Sequence, residues 1–270
     1  MRESVGPYRL LERLGEDRLG EIHKARDTAR GRTTAVRILH ASIAGDPVRR
    51  AALLEDARRV EALSHPSLAA LFDVIEEDDM LALVHEHVEG KTLAATLGGT
   101  PLNPRLAAAI GIQLADGLAE MHASGLAHGA VDADHVVINP RGQAKLIDPG
   151  LTAWVATGAR GSGAAADEQA VSVDITALGA LLAQMTGASM PRAQWADDLR
   201  AVIERTRPSS ARRYESVPTF AAELRAVAAM LEARAEAAAP LDARRSGAST
   251  VVWLVVAVVL LALGFWLLSG

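Results

Sequence analysis

Residues 251–268, VVWLVVAVVLLALGFWLL, contain only apolar side chains and glycine. A helix of this length that is apolar on every side needs a bilayer or a large core around it. At 1.5 Å per residue the run covers about 27 Å, close to the roughly 30 Å of bilayer hydrocarbon. Trp253 and Trp266 stand near its ends, where indoles favour the interface, and Arg244 and Arg245 precede it. The competing reading is a buried core helix, which a chain of 270 residues seldom builds at this length. The run therefore predicts a single membrane span over 250–268, with the preceding chain on the cytoplasmic side. Only Ser269 and Gly270 follow, so no sensor domain is expected beyond the bilayer.

The remaining chain is long enough for one large domain or two small ones. Half of all residues are apolar, which suffices for a core. The net charge of −5 and the lack of a basic, aromatic-rich stripe argue against nucleic acid as a partner. There are no cysteines, which excludes disulfides and thiolate sites. The first residues carry no long apolar stretch, so no secretory leader is expected.

Strand-like runs fill the first third, at 8–14, 21–28, 33–39, 68–76 and 80–87, with a helical pattern at 47–63. Helical periodicity dominates afterwards. Asn103 caps a helix with Pro104 at its first position, and Gly125 ends it. Ile175, Leu178, Leu182 and Met185 stripe a second, closed by Gly187. Helices at 196–205 and 218–234 follow. Residues 158–166 are rich in glycine and alanine and are expected to be mobile, and 235–250 read as a linker. Five strands with one helix, then a helical lobe, give an α+β plan with a cleft between lobes.

Eight short stretches recur in a telling order: LLERLGEDRLGEIHKA, TTAVRIL, EDARRVEALSHPSL, LVHEHVEGKTL, GLAHGAVDADHVVIN, AKLIDPG, ADEQ and DITALG. Their order and spacing resemble the bacterial Ser/Thr protein kinase family, from about Tyr8 to Leu231. The resemblance implies a bilobal kinase-like fold over 8–232, with lobes 8–88 and 89–232, a linker 233–249 and the membrane helix 250–268. It implies ATP with Mg2+ as cofactor. Gly15, Gly20, Arg37, Asp56, Glu86, Val88 and Asp148 would line that site, with Asp148 as the metal ligand.

The departures from the family pattern are as informative. Asp17 stands where the glycine-rich loop has its second glycine, and an anion there should repel phosphate. Arg37 replaces the strand lysine, and Asp56 replaces the helix glutamate that pairs with it. The two are expected to meet, either at a nucleotide or as a plain tie between helix and sheet. His128 matches the start of the catalytic loop, but the arginine after it is Gly129. The base position is Ala130, the following lysine is Asp132, and the metal-binding asparagine is His135. Asp132 and Asp134 are the remaining substitutes for a base. Losing a positioned base costs about 10²–10⁴-fold, and an acid in place of the lysine opposes the charge that develops in phosphoryl transfer. Pro149 replaces the phenylalanine that stacks on residues matching His128, Val60 and Leu71. Asp-Pro-Gly reads equally well as a turn. Glu168 is expected to pair with Arg213, and Asp174, opening a central helix, to brace the catalytic loop. The stretch between Gly187 and Ala196 is short, so a docking helix is expected to be missing, and Thr152, Thr157 and Ser162 are nearly all the activation segment offers for phosphorylation. His85 and His87 share one strand face, which suits a metal pair, but they fall at the gatekeeper and hinge.

Three readings follow. One is a pseudokinase held at the membrane, acting on a protein partner such as an active kinase or an envelope protein. The second is a residual Ser/Thr kinase using Asp132 or Asp134. The third is a switch that binds ATP without turnover.

Overall fold

The period-two runs of the first third form one antiparallel sheet. Its strands are β1 (Ser4–Val5), β2 (Tyr8–Glu16), β3 (Gly20–Asp27), β4 (Thr33–Leu39), β5 (Leu71–Glu77) and β6 (Met80–Glu86), in the order β1-β2-β3-β4-β6-β5. The expected five strands are thus six, because Ser4–Val5 is too short to show a period. The expected single helix is preceded by a one-turn helix, α1 (Ala41–Ala44), before α2 (Pro47–Glu61). Asp46 caps α2 by accepting from the amides of Val48 and Arg49 at 2.9 and 3.1 Å. This computed structural model describes residues 3–77, 80–151, 168–187 and 194–238. Met1–Ala228 form one unit, and of the second, Ala229–Gly270, the described part is the end of a helix.

Alternation along the strands sorts the two faces of the sheet. Met80, Ala82 and Val84 join Val5, Tyr8, Ala25 and Val36 in one apolar cluster. Tyr8 closes it, donating its hydroxyl to Asp73 at 3.0 Å, and burial first, then Asp73, pushes its pKa up to about 12. Leu81, Leu83 and His85 point the other way and are buried too. Arg37 sits opposite Leu83 and Ala35 opposite His85 in the β4–β6 pairing. Arg37 therefore shares the face of His85, on the side where α2 buries Leu53, Asp56, Ala57 and Val60.

The rest of the described chain comprises β7 (Lys91–Thr92), α3 (Leu93–Leu97), α4 (Pro104–Ala123), β8 (Val136–Ile138), β9 (Ala144–Leu146), α5 (Glu168–Thr186), α6 (Gln194–Glu204) and α7 (Val217–Ala238). Asn103 caps α4 by accepting from the Arg105 amide at 2.9 Å, and Gly125, at φ 72°, takes the left-handed turn beyond its end. Helices α4 and α5 pack together. Gly179 of α5 permits close approach of the segment after α6: a Cβ would lie 1.8 Å from the Thr206 hydroxyl. Strands β7, β8 and β9 form a second small sheet. It is tied to the first lobe by the Leu146 amide donating to Ser67 O at 2.9 Å and the Ala69 amide donating to Leu146 O at 2.8 Å. The apolar run 251–268, residues 158–166, Thr152, Thr157, Ser162 and 188–193, where a docking helix was expected to be missing, all fall outside the described residues. No described helix is long and apolar enough to cross a membrane.

Candidate nucleotide and catalytic site

The loop between β2 and β3 is a tight turn built on Asp17. Its Oδ1 accepts from the amides of Leu19 and Gly20 at 2.8 and 3.2 Å. Its own amide donates to Gly20 O at 3.0 Å, and His40 Nε2 lies 3.0 Å from its carbonyl oxygen. Gly20 is required by close approach, since a Cβ would meet Ile38 O at 1.9 Å, whereas Gly15 has open space around it. Two amides that would face a phosphate thus face a side-chain carboxylate.

The other oxygen of Asp17 accepts from Arg37 Nη1. Arg37 Nη2 donates to both oxygens of Asp148, each at 2.7 Å. The guanidinium is 3 % exposed, and the two carboxylates are 21 % and 13 % exposed. The pair expected between Arg37 and Asp56 is therefore replaced. A guanidinium forks where an ammonium is a point charge, so it bonds two acids at once. Asp56 stays fully buried on α2. The expected repulsion by Asp17 is also corrected: its charge binds the arginine. Burial pushes the Asp148 pKa up, but Arg37, with help from His85 and His135, holds it below the usual carboxylate range.

Asp148 has φ 54°, a left-handed conformation that aspartate tolerates better than most residues. The Leu151 amide donates to Asp148 O at 3.1 Å, and Gly150 has φ 71°. With Pro149 second and Gly150 third, this is the turn the sequence offered. It coexists with the bonds from Arg37 to the Asp148 carboxylate. A Cβ on Gly150 would come within 2.9 Å of Val60 Cγ2, so α2 lies directly on the turn.

The catalytic-loop stretch is well ordered by hydrogen bonds but poor in chemistry. His128 is buried, which lowers its pKa and keeps it neutral; its Nε2 lies 3.2 Å from Ile147 O. Ala130 presents only a methyl group. Asp132 Oδ1 accepts from the amides of Asp134 and His135 at 2.9 and 3.0 Å and pairs with His135 Nδ1 at 2.8 Å. Burial raises the Asp132 pKa, and its bonds with His135 more than reverse that, leaving a weaker base. Asp134 is exposed. Behind the loop, Asp174 accepts from the amides of His128 and Gly129 at 2.9 and 2.7 Å and pairs with His122 Nε2 at 2.8 Å. The brace is as expected, although Asp174 lies inside α5 and does not open it. Arg213 and Glu168 pair at 3.6 Å on an open surface, Glu168 being 92 % exposed, so the pair contributes little.

At the hinge, Glu86 pairs with Lys145 Nζ at 2.7 Å and accepts from the Ala70 amide at 3.2 Å. Val88 is half-buried just beyond β6. His85 is buried with both ring nitrogens unbonded, and burial lowers its pKa to about 4. His87, past the end of β6, senses Lys24, Glu89 and Glu12, whereas His85 senses Asp148 and Arg37, so they do not form a pair.

The protein kinase domain family matches residues 8–224, most of the chain. The chain belongs to that family. Curated relatives include the serine/threonine-protein kinase pkn2 of Myxococcus xanthus, 33 % identical over 56 % of this chain and 18 % of its own length. PknE of Mycobacterium tuberculosis is 32 % identical over 54 % of this chain and 26 % of its own. The chain thus matches only about a fifth to a quarter of these relatives' length. The crystal structure of the Mycobacterium tuberculosis PknI kinase domain superposes with a TM-score of 0.64 at 20 % identity, covering 84 % of this chain and 99 % of that one, which supports the fold.

Protein kinase domains in general use ATP and Mg2+. The residues of this kinase domain do not fit that pair. Mg2+ requires free oxygen ligands, and both oxygens of Asp148 are held by a guanidinium. His135 offers a ring nitrogen where a hard cation prefers oxygen, and that ring already bonds Asp132. Two contacts were missed at the level of sequence. The Arg37–Asp17 bond was signalled by an acid two residues before backbone amides in a tight turn. The Lys145–Glu86 bond carried no local signal, because its partners are 59 positions apart.

Proposed function

We propose that this kinase domain works without phosphoryl transfer, as a pseudokinase that scaffolds or regulates other proteins from the cytoplasmic face of a membrane. One observation carries the reading. The base position is Ala130, and the nearest acid, Asp132, is bonded into its own loop by three donors. The supports of the fold, Asp174 above all, keep their bonds. Chemistry is lost where shape is kept. The residual-kinase reading needs Asp132 to act as base, and its lowered pKa works against that.

The full chain, purified in detergent and given ATP labelled at the γ-phosphate with Mg2+ or Mn2+, is expected to label neither itself nor a generic substrate above the level of Asp148→Asn. Transfer that Asp148→Asn abolishes would overturn the reading. The apolar run 251–268 and its flanking arginines support the anchor. After cell fractionation the full chain should sediment with membranes and resist alkaline carbonate. Recovery in the soluble fraction would remove the anchor from the proposal. The partner fitting this placement is another protein at the membrane, such as an active kinase or an envelope component.

A further inference from the structure

The cleft contains a carboxylate where a nucleotide would place a phosphate. Asp17 takes three donors: the Leu19 amide, the Gly20 amide and Arg37 Nη1. Amides at a turn and a forked cation are the donor set that recognises phosphate oxygens. We infer that Asp17 is a built-in occupant of the phosphate cradle, which makes this cleft exclude the phosphate chain of nucleoside triphosphates. The inference rests on reading the cleft as the former nucleotide site of a kinase domain.

The local bonds alone would make only an ordinary turn, since aspartate often accepts from amides two and three residues on. The long-range bond distinguishes this one. Arg37 lies 20 residues away, is 3 % exposed, and is bonded on its other side to Asp148. The three groups carry two negative charges and one positive. A polyphosphate entering here would meet a net negative site whose cation is already paired. It would have to displace Asp17, which is tethered to the cradle and competes at high effective concentration. The metal that could offset its charge needs the Asp148 oxygens that Arg37 Nη2 holds.

The magnitude follows from population arithmetic. Minor conformers in such equilibria are populated at about 0.1–10 %, and apparent affinity falls by that fraction. Freeing the cradle should therefore tighten phosphate binding by about tenfold to a thousandfold. Asp17→Gly removes the occupant, and Asp17→Asn keeps the Oδ1 acceptor for the turn while removing the charge. Glu12→Gln removes one charge from an exposed site on the neighbouring strand and serves as the control.

Titration of the full chain with Mg·ATP, inorganic tripolyphosphate and adenosine tests this. The wild type and Glu12→Gln should show no saturable binding of either phosphate compound at millimolar concentration. Asp17→Gly should bind both at least about tenfold more tightly than the wild type, and Asp17→Asn should gain in the same direction by less. Adenosine, which has no phosphate, should not distinguish the variants. The inference is overturned if the wild type binds Mg·ATP as tightly as Asp17→Gly, if folded Asp17→Asn gains nothing, if Glu12→Gln gains equally, or if the gain extends to adenosine. The pseudokinase reading is judged separately, by phosphate transfer in the same samples. Binding without transfer leaves that reading intact whatever becomes of Asp17.

Discussion

Replacing Asp174 with alanine is expected to lower the unfolding free energy by about 3–5 kcal/mol, the cost of breaking a buried charged network. Asp174 is fully buried. Its carboxylate accepts from two backbone amides, those of His128 and Gly129, and meets the ring of His122. The His128 amide is buried and has no water to turn to once the carboxylate is gone, and a buried unsatisfied donor costs about 1–3 kcal/mol. Asp174→Asn should fare little better, because its amide nitrogen must face one of the donors. Glu168→Ala removes an acid that is 92 % exposed and should change stability by less than about 0.5 kcal/mol. Urea unfolding of the full chain followed by far-UV circular dichroism measures all three. A loss below about 1 kcal/mol for Asp174→Ala would show that the catalytic-loop stretch holds its shape without the brace.

The contrast between Asp174 and Asp17 shows what the sequence could and could not convey. Asp174 was legible through the family resemblance, which implied that it braces the catalytic loop, and its carboxylate does accept from the amides of His128 and Gly129. The strands and helices were legible from local period, caps such as Asn103 and stops such as Gly125. The resemblance placed Arg37 as the cation at the strand-lysine position but did not give its choice of partner. That choice depends on side-chain length and on three segments far apart in sequence meeting at one point. The guanidinium of Arg37 bonds Asp17 and Asp148. Asp17, judged against an incoming phosphate, reads as repulsive. Judged against the arginine beside it, the same charge is attractive. Likewise Ala130 could be read as a missing base from position alone, but the employment of Asp132 in three loop bonds needed the geometry.

Arg37→Met is expected to destabilise the protein by about 2–4 kcal/mol at pH 7, because it leaves two partly buried carboxylates without their cation. It should also reverse how stability depends on acid. In the wild type, burial pushes the Asp148 pKa up but Arg37 more than compensates, so the folded value lies below the ordinary one near 3.9. Such a group contributes stability that is present above about pH 3.9 and is lost as pH falls through the folded value. Without Arg37, burial becomes the leading influence and the folded pKa rises above the ordinary value. A carboxylate of that kind penalises the fold at neutral pH, and the penalty is relieved as acid protonates it. Between pH 7 and about 5 the wild type should lose some stability, because the unfolded chain protonates histidines that the fold keeps neutral, and Arg37→Met should gain stability relative to it. Asp148→Asn placed in the Arg37→Met background should recover part of the loss and flatten that slope, a non-additivity that identifies the two as one unit. Arg37→Lys, a point charge without the fork, should fall between, since it cannot bond both acids as the guanidinium does. A parallel pH dependence for wild type and Arg37→Met would mean that Asp148 is not governed by Arg37.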